Sequence, residues 1–276
     1  MSLCVFPNEE ECLKDLNYRA RGLRVGLIPC TSSFHPGYHQ MFRKAREDND
    51  WVVVVDLAGE ELGQEGFGPR GNDLSERDRE DLLEYGVDAY LRLDPLKDLS
   101  FEIRDQKMST SLNLNPELTA RMCTRFMGLF SLYHPARVYF YDLYLREILI
   151  LKELIKQFFP WIEPVSLPLI RSEDGLAFSS VNYHLTASET QQCYQLNRTL
   201  RENFRDCVGL SIHRISQKVV DALEDKDFEG VKVFFLNQGG RHTETIGRET
   251  RLFASVKIRE FTLVDFHSLQ FRGDLD

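Results

Sequence analysis

Residues 35–39 read His-Pro-Gly-Tyr-His. Pro36 suits the first turn of a helix. A helix N-terminus offers unpaired N–H groups and a positive dipole end, which favour a phosphate. His35 is therefore a candidate phosphate contact, set against a loop histidine with no ligand. A second polar set is Ser179, Ser180 and Asn182. Their hydroxyls and amides can cradle phosphates or cap a turn. Arg146 and Arg171 are cations able to offset the charge of an acid. The chemistry these residues point to is recognition of phosphate and carboxylate. The six cysteines form no C-x-x-C pair or other zinc spacing, so no metal site is expected.

These side chains need elements to place them. Residues 23–29, "LRVGLIP", form a short apolar run ending at a proline, which reads as a buried strand. Residues 36–49 have helical spacing, with Met41, Phe42 and Ala45 on one side. Residues 51–57, "WVVVVDL", read as a second strand covered on both faces. A glycine-rich stretch at 58–73 reads as a long functional or mobile loop. Helices are expected over 75–86, 116–133 and 143–158, and strands over 87–95, 136–142 and 162–171. This alternation specifies a parallel sheet with helices on both faces. Ligands bind such sheets beyond the carboxyl ends of the strands. The first strand–helix turn carries His35, where a phosphate site would lie. After residue 186 the pattern changes to two helices and three strand candidates. The fold class is α/β: a Rossmann-like domain over 1–186 and a smaller α+β domain over 187–276.

With 276 residues and a net charge of −9, the chain is ample for a buried core. The acidic balance argues against a nucleic-acid binder with a broad basic surface. The acidic runs "NEEEC" and "EDKDFEG" read as solvated faces. No run of 18 apolar residues indicates a membrane span. The N-terminal stretch lacks an apolar signal core. Free thiols in a reducing compartment fit the cysteine pattern, so a cytoplasmic protein is expected.

Several stretches, in order, resemble the pantothenate synthetase (pantoate–β-alanine ligase) family of the nucleotidylyl-transferase superfamily. "PCTSSFHPGY" (29–38) is similar to the family's P-T-M-G-x-L-H-x-G-H. "GQEGFGPRGNDL" (63–74), "GLFSLYHPA" (128–136) and "FASVKIREFTLVDF" (253–266) match further segments. "LIRSEDGLAFSSVNYHLT" (169–186) is the clearest match. The resemblance implies a nucleotidylyl-transferase-type fold and ATP with Mg2+. It implies an AMP-forming ligase that joins pantoate to AMP and then lets an amine displace AMP. It also implies a homodimer. Carried over by position, it implies nucleotide contacts at Pro29, Thr31, His35, Gly37, Tyr38, Ser179, Ser180 and Asn182, with His35 catalytic.

The match departs at definite places. Tyr38 stands for the second histidine, Val181 for an arginine and Leu143 for a lysine. Tyr144 stands for an aspartate, and Gly66 and Arg146 for the two pantoate-binding glutamines. Arg146 is then a candidate contact for another acid. "KMSTS" (107–111) is similar to the K-M-S-K-S loop of class I tRNA synthetases but lies at the wrong place in the chain, so a polar surface loop is expected. Two functions stay open. One is an ATP-dependent ligase for small carboxylates, with activity on pantoate diminished. The other is a catalytically inactive nucleotide- or metabolite-binding regulatory protein.

Overall fold

A computed structural model describes residues 3–19, 22–30, 34–57, 74–96, 100–237 and 244–269. Thr31 and the 58–73 stretch, with Gly66, lie outside the described residues. The chain divides into two compact units, one drawn from residues 1–170 and the other from 171–276.

The first unit runs β1 (Cys4–Phe6), α1 (Glu9–Arg19), β2 (Val25–Cys30), α2 (Pro36–Asp48), β3 (Trp51–Asp56), α3 (Glu76–Glu84) and β4 (Ala89–Arg92). It continues with the single turn α4 (Met108–Ser111), α5 (Pro116–Tyr133), β5 (Arg137–Tyr141), α6 (Leu145–Phe158) and β6 (Glu163–Leu167). Six strands form one parallel sheet in the order β1-β4-β3-β2-β5-β6. β2 and β3 are buried at every residue, as central strands covered on both faces must be. The edge strand β1 and helix α1 are additions to the expected elements. Three residues are too short for a period to register.

Local chemistry sets the helix starts. Ser75 accepts from the Asp78 N–H at 3.0 Å before α3. Asn115 accepts from Glu117 and Leu118 before α5, with Pro116 in its first turn. "KMSTS" is mostly the single turn α4, with the Ser109 N–H held by Asp105 Oδ1 at 2.9 Å.

The second unit holds α7 (Ala187–Phe204), α8 (Ile212–Glu224), β7 (Glu229–Leu236), β8 (Arg251–Ile258) and β9 (Phe261–Ser268). The three strands make an antiparallel sheet in that order. Ile215, Val219 and Leu223 recur every four residues on α8 and enter a core with Leu196, Leu200 and Leu252. Leu176 and Val181 belong to the same core. That is why the compact units part between Ile170 and Arg171, whereas the sequence pattern places the change of texture at 186.

Candidate functional site

In the first unit the chain steps outward from β2 to β3 to β4, then returns to place β5 on the other side of β2. The crevice at the carboxyl ends of β2 and β5 is thus the switch point where an open α/β sheet takes its ligand. The β2–β5 ladder pairs Gly26 with Arg137 and Leu27 with Val138. Pro29, without an N–H, brings no donor to its upper end.

His35 sits at that end as the N-cap of α2, in extended backbone. Its Nδ1 accepts the Gly37 N–H at 3.1 Å. The neutral ring must then carry its proton on Nε2. His35 is 2% exposed, and burial, with the nearby His39 adding to it, lowers its pKa to about 3. It therefore acts as a neutral N–H donor, with no partner for Nε2 among the described residues.

Gly37 is required sterically. A β-carbon there would lie 2.6 Å from Tyr141 Cζ and 2.8 Å from His35 Cε1. The His35 ring lies between Tyr38 and Tyr141, with centroids at 4.6 and 5.3 Å. Tyr38 is buried against Phe34 and Phe42. His39 points elsewhere, its Nε2 2.9 Å from Asp81 Oδ2 and its ring stacked on Tyr85. The 100° step between adjacent helical residues accounts for that.

Below these rings is a cavity of about 30 Å³. Pro29, Tyr38, Tyr139, Tyr141, Tyr144 and Glu147 are among the residues that line it. Glu147 is 7% exposed, and burial raises its carboxyl to about 7. Arg146 turns the other way and donates to the Asn113 carbonyl at 3.0 Å. Sequence reading chose Arg146 for its charge and passed over Glu147. The signal was present: Glu147, Leu151 and Leu154 share one face at i, i+4 and i+7, and all three are buried. Leu143 is buried as well.

In the second unit, Ser179 and Ser180 are both 4% exposed and open a short 3₁₀ turn. The Ser179 N–H donates to Asn182 Oδ1 at 2.7 Å. Asn182 Nδ2 is buried with no partner among the described residues, and the Ser179 side chain lies at the capping contact to the Asn182 backbone. An orphaned atom such as this Nδ2 is rare and fits a ligand with polar groups. Val181 between them faces the hydrophobic core. Arg171 is committed to a bidentate pair with Asp265 at 2.7 and 2.8 Å. It also donates to the carbonyls of Gly175 and Phe266. The structure thus corrects its expected role as a cation available to an acid.

A model of the Pantoate-beta-alanine ligase family matches residues 72–268. This chain belongs to that family. The pantothenate synthetase of Pseudothermotoga lettingae is 25% identical over 248 residues, covering 85% of this chain and 86% of that one. The Bacillus licheniformis pantothenate synthetase is 32% identical over 203 residues, covering 67% of each. Among solved structures, the Thermus thermophilus pantothenate synthetase aligns with a TM-score of 0.76 at 21% identity, covering 96% of this chain and 98% of that one. The Francisella tularensis pantoate-beta-alanine ligase, solved with beta-gamma ATP and beta-alanine, aligns with a TM-score of 0.73 at 18% identity, covering 97% and 98%. These establish the fold expected for the pantoate–β-alanine ligase family, a six-stranded parallel sheet followed by a small antiparallel one.

Among the described residues no helix is long and apolar enough to cross a membrane. No group of three or more His, Cys, Asp or Glu side chains among them could hold a metal ion.

Proposed function

We propose that this chain is an ATP-dependent, AMP-forming ligase that joins a small carboxylic acid other than pantoate to an amine. The observation that carries the reading is the switch-point cavity, whose buried Glu147 stands beside the tyrosines that flank His35. On the resemblance, polar groups suited to a nucleotide are retained, and the positions it assigns to pantoate carry other residues. ATP supplies the phosphoryl chemistry when bound. His35 would donate its Nε2–H to a phosphate oxygen. Mg2+ would arrive on the phosphates, which is the usual way this ion is held.

His35 supplies a fixed dipole rather than a charge. A neutral donor already oriented by Gly37 needs no reorganisation when charge builds on a phosphate. Tyr144, Arg146 and Gly66 stand where the resemblance places groups that hold the nucleotide and pantoate. A poorly gripped acid loses the several kcal/mol that orientation contributes to rate.

A second reading, nucleotide or metabolite binding without turnover, is favoured by Tyr38, Leu143 and Val181. All three are buried and uncharged, at positions where the resemblance places cations. Each lost transition-state donor costs about 3–4 kcal/mol.

The test is acid-dependent ATP–pyrophosphate exchange with a panel of small acids, pantoate included, and an active family member as control. Exchange with one non-pantoate acid is expected. Pantoate exchange within about tenfold of the control, roughly 1.4 kcal/mol in barrier, would return the chain to pantothenate synthesis. ATP binding with no exchange for any acid would favour the second reading.

A further inference from the structure

We propose that the cavity walled by Tyr139, Tyr141 and Tyr144 is a subsite for a primary ammonium group, with the Glu147 carboxylate as its counter-ion. In naming that ammonium as one end of the acid substrate, the inference rests on the ligase reading; the subsite itself does not.

A carboxylate removed from water needs a compensating charge or it takes up a proton. Glu147 is more than nine-tenths buried and has no side-chain hydrogen-bond partner among the described residues. No Lys, Arg or His among the described residues lines the cavity. The guanidinium of the adjacent Arg146 is occupied at the Asn113 carbonyl. Arg146 acts on Glu147 from outside the cavity lining, which leaves a place inside the cavity for a ligand's cation.

The walls suit the same ligand. Aromatic faces attract cations and gain most when water is excluded. A second anion would be repelled by Glu147, so the acid end of a substrate cannot be the part that enters. The space, about 30 Å³, exceeds what one water needs and has room for one or two heavy atoms. An –NH3+ group on a methylene fits; a quaternary ammonium does not. With its carboxyl raised to about 7, Glu147 changes protonation state easily near neutral pH, and an arriving cation would draw it to the carboxylate form. A substrate with an ammonium at one end and a carboxylate at the other would place the carboxylate outside the cavity, toward the His35 end of β2.

The test uses the full chain without ATP. Methylammonium chloride is titrated by calorimetry and by thermal unfolding, at ionic strength held constant with sodium chloride. Methanol serves as the neutral isostere and tetramethylammonium chloride as the oversized cation. Saturable methylammonium binding is expected, at least tenfold weaker in Glu147→Gln, with no saturation by methanol or tetramethylammonium. The wild-type size and charge series stands even where the variant does not fold. Absent methylammonium saturation, equal affinity in a folded Glu147→Gln, or equal binding of methanol or tetramethylammonium would each overturn the subsite. Methylammonium binding without exchange for any acid would sink the ligase reading and leave the subsite. Exchange with an uncharged-tail acid, without methylammonium binding, would do the reverse.

Discussion

Tyr141 lies so close over Gly37 that a β-carbon there would meet its ring at 2.6 Å. The ring cannot retreat easily, because its hydroxyl donates to the Ile170 carbonyl at 3.1 Å and accepts the Ile170 N–H at 3.0 Å. Gly37→Ala should therefore push against a fixed wall and lose about 1–3 kcal/mol, the usual cost of overpacking. Chemical denaturation checks this. An unchanged midpoint would mean that the wall moves.

Tyr141→Phe should cost about 1 kcal/mol, the lower part of the range for stranding polar groups, because Ile170 is only half-buried. It should also relieve part of the Gly37→Ala penalty, so the double variant should lose less than the sum of the two. Strict additivity would contradict the contact.

His35 and Glu147 should push the pH dependence of stability in opposite directions. The folded-state pKa of His35 lies near 3, below its ordinary 6.5. Its contribution is complete above 6.5 and is lost as pH falls toward 3. That of Glu147 is raised from 4.5 to about 7. Its contribution is complete below 4.5 and is lost as pH rises through 7. Glu147→Gln removes only the second effect. The variant should gain on wild type between pH 4.5 and 8 by on the order of 3 kcal/mol. A pH-independent difference between the two proteins would refute the buried placement of Glu147.

Asp265 is buried and meets Arg171 through two hydrogen bonds. Asp265→Ala would leave the Arg171 cation without its counter-charge, at a cost of about 3 kcal/mol. This is the lower end for a broken buried pair, since Arg171 keeps some exposure. The loss should appear in unfolding of the whole chain and as faster amide exchange in β9. A loss below about 0.5 kcal/mol would mean that the pair behaves as a surface contact.

Five of the six cysteines are buried and Cys4 is half-buried. Burial raises Cys12 to about 11 and both Cys123 and Cys193 to about 12, which suppresses the reactive thiolate. An aromatic disulfide reagent should label no more than Cys4 quickly in the native protein, and all six in denaturant. Fast labelling of two or more would contradict this core.

The sequence alone determined the strand–helix alternation, because continuous apolar runs such as "WVVVV" suit only strands covered on both faces. It also determined the first turn at His35, since Pro36 fixes the backbone φ where a helix begins. The ordered motifs made the family legible over both units. Three things required the tertiary structure. The edge strand β1 is three residues long and acquires meaning only by pairing with β4. The fate of the arginines was hidden because a cation looks alike in sequence whether exposed or paired. Only the fold brings Asp265 to Arg171 across 94 residues of chain. Glu147 was hidden for the converse reason. A glutamate reads as solvated until the helix face it occupies is seen to close a cavity. Periodicity reports which residues share a face, but long-range packing decides what that face meets.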